Sequence, residues 1–329
     1  MVSFKQYRRW KSALRSESIP VSYFNFWDGQ TADEIWFTDF IRSRGFLKKH
    51  PKAEFAFFST LGSVNLFKMD ELLYPLSKNR KRIFFTGENV HYDAFADYRH
   101  NMLDFKRVDL SLGFDKVDDE RYLRFPIWLL EMFPADADAE TIKRVCDALS
   151  YQRLTEERNR FCALVSGLCT LQGSDSLKMR TSMVEHLNRV ARVDCAGKLL
   201  RNTEELQTKF NNDKAEFLKQ YKFFICPENI SVDGYVTEKV FHSIGSGCIP
   251  IYNGSLNNPE PDVLNHDAIL FWERDGDNSR LVKKVEELWN NPKLYKEFFE
   301  QPRLQPNAWE VILEYFNSLE KKIDELFKR

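Results

Sequence analysis

The stretch FFICPENISVDGYVTEKVFHSIGSGCIPIYNG, residues 223–254, contains two apolar segments separated by a polar loop and a short amphipathic segment. The apolar segments lie at 222–229 and 248–254 and are rich in aromatic and branched residues, which favour strands. Residues 236–245 between them favour a helix. A strand, a helix and a second strand in so short a run are typical of a parallel β-α-β unit. We therefore expect an α/β fold with a parallel sheet here.

The same alternation extends in both directions along the chain. The second half predicts strands at 161–167, 192–197, 222–229, 248–254 and 268–273, with helices near 176–190, 203–219, 236–245 and 278–290. The first half predicts strands at 19–27, 54–60, 82–89 and 108–114 and an amphipathic stretch at 32–47. Several of these strands end in polar loops, as parallel strands do when their carboxyl ends form a binding site.

The length of 329 residues suggests two domains of about 150 residues each. The segment 136–159 is helical and charged, and we place the domain junction there. The prediction is two Rossmann-like domains facing a central cleft, at 1–155 and 156–305. Apolar residues of the segment 306–329 recur at helical spacing, which predicts a terminal helix that packs back on the first domain.

Charge and motif content exclude several classes of function. The 48 basic and 49 acidic residues give a net charge of −1, so no global field attracts nucleic acid or acidic lipid. The chain contains neither GxxxxGK[ST] nor GxGxxG, which argues against a P-loop enzyme and a nicotinamide enzyme. Any anionic substrate must therefore meet a local basic site.

Cysteine usage and hydropathy predict a cytoplasmic protein, with at most peripheral association with an inner membrane. The six cysteines show no CxxC spacing and are expected to be reduced and buried. No apolar run reaches the length of about 18 residues that a bilayer span needs, and the first residues lack the apolar core of a signal peptide.

Lys239 follows Glu238 at the predicted start of a helix, where the dipole favours an acid and disfavours a cation. An anion beyond the helix start would explain the lysine, because the backbone N–H groups and the ammonium group would both bind it. A diphosphate is such an anion, with Tyr235 stacking on a base and Glu238 binding sugar hydroxyls. The alternative is that Glu238 caps the helix and Lys239 is a solvated surface charge.

The order of motifs in this region resembles that of the α1,3/α1,4-fucosyltransferases. Their pattern of a strand, F-E-N-S, Y-V-T-E-K and an I-P-I-Y-x-G strand is similar to residues 227–229, 234–239 and 249–254 here. Members of that family are inverting transferases with two Rossmann-like domains, the GT-B architecture. The resemblance implies that the second domain binds GDP-fucose and that Asn229, Tyr235, Glu238 and Lys239 contribute to this site.

The first half contains a second set of matching motifs. FFTGENVHYDAFADYRH (84–100) and VDLSLGFDKVDDERYLRFP (108–126) resemble the acceptor side of the family, and the resemblance makes Glu88 the general base. The position supports this role independently, since Glu88 follows Gly87 at the carboxyl end of an apolar strand. The more ordinary role for such a residue is to cap the following helix.

Arg180 lies in SLKMRTSMVEHLNRV (176–190), near the start of the helix predicted after the strand 161–167. The family has an arginine here that binds the diphosphate, and a planar guanidinium suits phosphate oxygens. The alternative is a surface arginine paired with an acid one turn away.

The resemblance implies an inverting transfer of L-fucose from GDP-fucose to a hydroxyl, with the 3-OH of N-acetylglucosamine in N-acetyllactosamine as the expected acceptor and a Lewis-type product. Two rivals stay open: a GT-B transferase with another nucleotide sugar, and a carbohydrate-binding relative without catalysis. No metal site is predicted, because the pairs Asp136/Asp138 and Asp275/Asp277 are typical of turns and helix starts. No cofactor is required, although Mn²⁺ is a candidate stimulant; the expected origin is bacterial, and the oligomeric state is not predicted.

Overall fold

The structure is a computed structural model that describes residues 11, 13–26, 30–60, 70, 73–74, 78–91, 108–154, 158–168 and 174–328. It divides into two compact units. The first consists of Met1–Asp138 together with Leu313–Arg329, and the second is Ala139–Ile312.

Eleven strands lie in the described residues, in two sheets. In chain order they are β1 Leu14–Arg15, β2 Val21–Phe24, β3 Glu54–Phe58, β4 Arg80–Phe85, β5 Leu110–Gly113, β6 Tyr122–Arg124, β7 Arg160–Leu164, β8 Val193–Cys195, β9 Tyr221–Ile225, β10 Ile249–Tyr252 and β11 Leu270–Phe271. Both sheets are parallel except for the antiparallel pair of β1 and β2. The predicted fold class of two parallel α/β sheets is therefore confirmed.

The α-helices of the described residues are α1 Trp36–Ser43, α2 Phe46–Lys49, α3 Trp128–Met132, α4 Ala139–Ser150, α5 Ser174–Leu187, α6 Glu205–Thr208, α7 Lys214–Leu218, α8 Glu238–Gly245, α9 Ser279–Asn290, α10 Pro292–Phe299 and α11 Ala308–Leu326. None of the helices in the described part of the chain is long and apolar enough to cross a bilayer. Helices α3 and α10 and the short strands β1 and β6 are absent from the sequence prediction.

Two predicted helical stretches are each broken into two helices by left-handed backbone. The stretch 32–47 is interrupted at Gly45, whose φ is 66°, and glycine adopts this conformation without steric cost. The stretch 203–219 is interrupted at Asn211 and Asn212, with φ of 48° and 63°. Asparagine tolerates this region better than most residues. The single helix predicted near 203–219 is therefore wrong, and the amphipathic stretch at 32–47 is not one continuous helix.

Strand order in the first unit follows chain order, β1-β2-β3-β4-β5-β6, so β4 is an interior strand. The sheet is buried against aromatic side chains: Phe57 stacks on Phe37 with ring centroids 4.8 Å apart, and Phe24 stacks on Phe58 at 4.7 Å. The large number of phenylalanines, 28 in the chain, is thus explained in part by this core.

The second sheet has the order β11-β10-β9-β7-β8. The chain runs from β7 outward to β8 and then returns to the other side of β7 to form β9, β10 and β11. The order therefore reverses at β7. In open parallel sheets the crevice at the carboxyl ends of the strands on either side of such a reversal is where ligands bind.

The unit boundary differs from the predicted junction at residue 155. Helix α4 is amphipathic, and its carboxyl end is tied to the second unit. The C=O of Ser150 accepts from the Arg303 N–H at 3.2 Å, and Gln152 donates to the C=O of Ile244 at 2.7 Å. The charged exposed face of α4 resembles a linker in sequence, which is why the two boundaries differ by one helix.

Helix α11 packs on the first unit, as the sequence predicts. Phe316 lies at its centre and contacts the rings of Trp36, Phe125 and Phe133, with centroids 5.7, 6.1 and 6.3 Å away. Near its end, Asp324 pairs with His50 at 3.1 Å. These contacts attach the last residues of the chain to the first sheet.

Five of the six cysteines are buried free thiols, as expected; Cys169 lies outside the described residues. Burial raises the pKa of the Cys146 thiol to about 12, so this group is protonated at neutral pH.

Candidate functional site

The reversal of strand order in the second sheet brings together α5, which follows β7, and the loop that follows β9. Arg180 of α5 donates through Nη2 to Asn229 Oδ1 at 2.9 Å and to the C=O of Pro227 at 3.3 Å. Its Nη1 donates to Ser176 one turn earlier. The guanidinium thus links α5, which follows β7, to the loop that follows β9.

Arg180 is 4% exposed and lies in the middle of α5, rather than near a helix start as the sequence suggested. The helix dipole therefore does not act at this residue. Because its side chain is buried, the alternative of a surface arginine does not hold. A buried guanidinium at the carboxyl end of a parallel sheet retains its charge and suits a phosphate or a carboxylate ligand.

Glu228 is the central acceptor of the site, although no role was predicted for it from the sequence. Its side chain is fully buried, and its carboxylate accepts from the backbone N–H and the hydroxyl of Thr237 at 2.8 and 2.7 Å. Tyr252 donates to the same carboxylate at 3.4 Å. Glu228 therefore fixes the start of α8, where Thr237 is the N-cap residue.

Gly254 is required by this arrangement. A Cβ at Gly254 would lie 2.5 Å from Cγ of Glu228 and 2.6 Å from the hydroxyl of Tyr252. Real Cβ atoms do not approach so closely, and the glycine leaves the space that the buried glutamate occupies. Gly254, the last residue of the I-P-I-Y-x-G motif, thus leaves room for the side chain of Glu228.

Lys239 has a buried carboxylate as its partner. Its Nζ lies 3.0 Å from Glu228 Oε2, 2.7 Å from Thr237 Oγ1 and 3.9 Å from Glu238. Burial opposes the charge of Lys239, but the attraction of Glu228 and Glu238 is greater and raises the pKa of the lysine. Lys239 is therefore charged and largely enclosed, so the alternative of a solvated surface lysine does not hold.

The side chains of Lys214 and His242 lie near Glu238 and Lys239. Burial lowers the pKa of Lys214, with Glu238 partly opposing the shift, and its Nζ lies 5.2 Å from the centre of the Phe224 ring. Burial, together with the charge of Lys214, lowers the pKa of His242. Neither residue was predicted from sequence: Lys214 lies on a short helix without a distinctive motif, and His242 follows the Y-V-T-E-K motif on α8 without belonging to it.

The charges of the site favour an anion. Three cations, Arg180, Lys214 and Lys239, face two carboxylates, Glu228 and Glu238. With His242 neutral, one positive charge is in excess in a region of low solvent access. Lys214 makes no hydrogen bond or ion pair with the described residues, whereas Lys239 is bound by Glu228.

The remaining predicted residues lie in the same region with different exposure. Asn229 is half-buried and accepts from Arg180, whereas Tyr235 is 1% exposed. Its ring is enclosed by protein, so a base can stack on it only if neighbouring residues move. For Glu238, burial disfavours the charge, but Lys239 and the backbone outweigh it and lower the pKa of the carboxyl.

Glu88 lies in the first unit, directly after β4. Thr86 holds its backbone: the hydroxyl accepts from the Glu88 N–H at 2.9 Å and donates to its C=O at 3.1 Å. Gly87 packs against Ile127, the N-cap residue of α3, since a Cβ at Gly87 would lie 2.3 Å from Cδ1 of Ile127. The turn places a half-buried carboxylate at the carboxyl end of an interior parallel strand, in a position suited to proton abstraction.

The two motifs of the first unit meet beside this turn. His91 Nε2 lies 2.7 Å from Asp115 Oδ1, and Asn89 accepts from the His91 N–H at 3.0 Å. Asp115 belongs to the G-F-D sequence that follows β5. The contact between His91 and Asp115 thus joins the segment that contains the TGEN motif to the GFD motif.

A metal cluster does not occur in the described residues: no three histidine, cysteine, aspartate or glutamate side chains converge. Asp277 accepts from the N–H and the hydroxyl of Ser279 at 2.9 and 2.7 Å, as expected of an acid at a helix start. The independence of the site from metal stays a prediction.

Comparison with known families gives one consistent result. The description "Glycosyltransferase family 10 (fucosyltransferase) C-term" matches residues 155–304, and "Alpha-(1,3)-fucosyltransferase FucT N-terminal domain" matches residues 21–131. The chain belongs to the fucosyltransferases of glycosyltransferase family 10. The first match contains Arg180, Lys214 and Lys239, which together we call the cationic cluster, and the second contains Glu88.

Individual relatives of this family agree with the match. The chain is 31% identical over 220 residues to an alpha-(1,3)-fucosyltransferase of Helicobacter pylori, a match that covers 60% of this chain and 43% of that protein. It is 33% identical over 128 residues to a GDP-fucose protein O-fucosyltransferase 3 of Xenopus tropicalis, which covers 37% of this chain and 27% of the relative. The chain thus matches less than half the length of either relative.

A solved alpha1,3-fucosyltransferase shares the fold. It aligns with a TM-score of 0.55 at 20% identity and covers 94% of this chain and 92% of its own. At this identity the likeness concerns architecture, and it agrees with the two parallel sheets described above.

The glutamate that sequence reasoning overlooked had a usable signal. Glu228 follows an apolar strand directly, as Glu88 does, and the argument applied to Glu88 holds equally for it. Lys214 had no comparable signal, because its proximity to α8 depends on how two short helices pack.

Proposed function

We propose that this fucosyltransferase family member transfers L-fucose from GDP-fucose to a hydroxyl group of a glycan, with inversion at the anomeric carbon. The observation that carries the proposal is the buried cationic cluster at the reversal of strand order, inside the region that matches the family's C-terminal description. Nucleotides and dinucleotides bind at this position in open parallel sheets, and a nucleoside diphosphate is an anion of this kind.

The second unit binds the donor in this proposal. Arg180, Lys214 and Lys239 bind the diphosphate, and their charge stabilises the negative charge that develops on the leaving GDP. Asn229 positions the Arg180 guanidinium and lies at the edge of the nucleotide site. Glu238 binds fucose hydroxyls, and Tyr235 stacks on the base after local rearrangement.

The first unit binds the acceptor and supplies the base. Glu88 removes the proton of the acceptor hydroxyl as the bond to the anomeric carbon forms on the face opposite the departing diphosphate. The base must be an unprotonated carboxylate, and the turn at Thr86 and Gly87 holds that carboxylate at the end of β4. A single displacement of this kind inverts the configuration.

The acceptor we propose is the 3-OH of N-acetylglucosamine in N-acetyllactosamine, which would give a Lewis-type product. Support comes from the Helicobacter pylori relative, whose name specifies α1,3 transfer. Other relatives are named for α1,4 transfer or for protein acceptors. The position of the new linkage thus varies within the family.

Basic side chains take the place of a metal in this proposal. We expect activity to survive EDTA, while Mn²⁺ can stimulate it by binding the diphosphate of the donor. Cytoplasmic location stays a prediction of the sequence, and peripheral membrane association would bring the enzyme to glycolipid acceptors.

Calorimetric titration of the purified chain with GDP, UDP and CDP tests the donor assignment. GDP is expected to bind most tightly, and Arg180→Ala or Lys239→Ala should weaken it by roughly 1–3 kcal/mol, the usual loss for a charge-assisted hydrogen bond. Arg189→Ala is the matched control, since this arginine is exposed just beyond α5. Preference for another nucleotide, or unchanged GDP affinity in both variants, would reject the assignment in favour of another nucleotide sugar or a non-catalytic binding protein.

A further inference from the structure

A cavity of about 790 Å³ lies in the first unit, where helix α1 and residues 127–136 form much of its lining. The volume is within the usual range of small-molecule sites, about 300–1,000 Å³. The residues that line it belong to the first unit, which also contains Glu88. A ligand that contacts both Glu88 and the cavity therefore stays within one unit.

Two contacts place this cavity next to the turn that carries Glu88. Ile127 lines the cavity and packs against Gly87, since a Cβ at Gly87 would lie 2.3 Å from Ile127 Cδ1. Phe37 also lines the cavity, and its ring contacts that of Phe85, the last residue of β4, with centroids 5.0 Å apart. The half-buried side chain of Ile127 thus lies between the cavity and the turn of Glu88. A glycan whose reacting ring lies at Glu88 enters the cavity by crossing this side chain.

The lining offers accessible groups of two kinds. Trp36 and Leu130 are half-buried and Pro134 is exposed, which gives an apolar surface. The side chains of Glu131 and Asp136 are exposed and offer carboxylate oxygens. This combination suits a sugar ring, because the C–H face of the ring packs on apolar side chains while its hydroxyls donate to oxygen acceptors.

The aromatic part of the lining is held in one orientation. Trp36 Nε1 donates to the C=O of Phe133 at 2.9 Å, and the Trp36 ring stacks on Phe40 with centroids 5.2 Å apart. A ring fixed in this way loses little conformational entropy when a ligand packs on it.

The charge of the lining disfavours one class of ligand. Among the described lining residues, four carboxylates accompany one guanidinium: Glu34, Asp39, Glu131 and Asp136, with Arg42. Arg42 is itself paired with Asp39, and its Nη2 lies 3.2 Å from Asp33 Oδ1. The lining thus has an excess of negative charge. Sulfated or sialylated rings are repelled by such a lining, whereas neutral rings are not.

We propose that this cavity binds a neutral sugar ring of the acceptor glycan, other than the ring that receives fucose, with its hydroxyls donating to Glu131 and Asp136 and its C–H face on Trp36 and Leu130. The inference rests on the proposed function for the identity of the glycan and for the place of the reacting ring at Glu88. It predicts a preference for longer neutral acceptors and a loss of that preference when the added rings are anionic.

The test compares N-acetylglucosamine with a linear glycan of two N-acetyllactosamine units. Wild-type protein should have the lower KM for the longer glycan. The double variant Glu131→Gln with Asp136→Asn should raise that KM roughly 5- to 20-fold, as loss of charge-assisted hydrogen bonds at an exposed site does. The KM for N-acetylglucosamine and the affinity for GDP should not change. Glu17→Gln is the control, because Glu17 is an exposed acid of the first unit that does not line the cavity.

The longer glycan with a 6-sulfate on each galactose tests the charge argument. Wild-type protein should bind it more weakly than the neutral glycan, and the double variant should bind it more tightly than the wild type does. A defect in folding would weaken the binding of both glycans, so opposite changes for the two glycans identify the charge of the cavity as the cause.

Saturation-transfer NMR titrations measure the binding of both glycans without turnover. Weaker binding of the neutral glycan to the double variant, with Glu17→Gln unchanged, supports the cavity even if fucose transfer from GDP-fucose itself fails. Equal binding of the neutral glycan to wild type and double variant would overturn the proposal. Tighter binding of a lysine-rich peptide than of the neutral glycan would also overturn it, because the acidic lining would then serve a cationic ligand.

Discussion

Replacement of Glu228 by glutamine should destabilise the second unit more than any other single change of charge at the cationic cluster. Glutamine keeps the volume and one acceptor oxygen, but its amide group would face the Lys239 ammonium and the Thr237 hydroxyl, which now donate to Glu228 Oε2 at 3.0 and 2.7 Å. Removal of one partner from a buried ion pair costs about 3–5 kcal/mol. Lys239 is 22% exposed, so we expect the lower end, about 3 kcal/mol.

Differential scanning calorimetry measures this effect. A loss of about 3 kcal/mol in a unit of this size corresponds to a decrease in Tm of roughly 6–12 °C. Glu238→Gln is the matched control: its carboxylate is 3.9 Å from Lys239 and 27% exposed, and its loss should cost less than about 1 kcal/mol.

A double-mutant cycle isolates the ion pair. Lys239→Met alone leaves Glu228 buried without its cation, whereas Glu228→Gln with Lys239→Met leaves neither group charged. The double variant should be more stable than the sum of the single effects predicts, by at least about 1.5 kcal/mol. An unchanged Tm for Glu228→Gln, or additive single effects, would refute the reasoning that Glu228 holds Lys239.

Three further predictions concern single residues. Lys214→Met should weaken GDP binding roughly 10- to 100-fold in calorimetry, because the excess positive charge of the site is lost. The control Lys219→Met removes an exposed lysine beside α7 and should leave GDP binding unchanged. Equal effects of the two variants would reject the role of Lys214. Glu88→Gln should lower kcat by about 10²–10⁴-fold with GDP affinity retained, and near-normal turnover would transfer the role of base to another group, with His91 the nearest candidate. Burial lowers the pKa of His242, so the unfolded chain binds a proton at this residue at higher pH than the folded chain does, and the stability of the fold should decrease as the pH falls below about 6.5. In His242→Asn the denaturation midpoint should depend less on pH in that range. An unchanged pH profile would contradict the burial argument.

The architecture was predictable because strand and helix signals alternate clearly in both halves. Long apolar strands such as β3 and β9 are buried on both faces, as parallel strands are, and their sequences show it. The predicted helix boundaries were less accurate where the backbone conformation of one or two residues ends a helix. The break at Asn211 and Asn212 depends on left-handed conformations that asparagine tolerates but does not require.

The candidate site was predictable where a motif fixes a residue in sequence and not where packing brings residues together. Arg180 and Asn229 are separated along the chain, and their contact at 2.9 Å follows from the neighbouring positions of β7 and β9. The role of Gly254 is evident only once Glu228 is seen to occupy the space beside it. Likewise, Lys239 has a protein partner in Glu228, whereas the sequence argument considered only an anionic ligand or a solvated surface position.

Incubation of the purified chain with GDP-fucose and N-acetyllactosamine tests the central claim most directly. Mass spectrometry should show the acceptor with one added deoxyhexose, GDP should be released in equal amount, and NMR should show an anomeric configuration opposite to that of the donor. Transfer from a different nucleotide sugar, retention of configuration, or GDP binding without any fucosylated product across a panel of glycan and peptide acceptors would contradict the account.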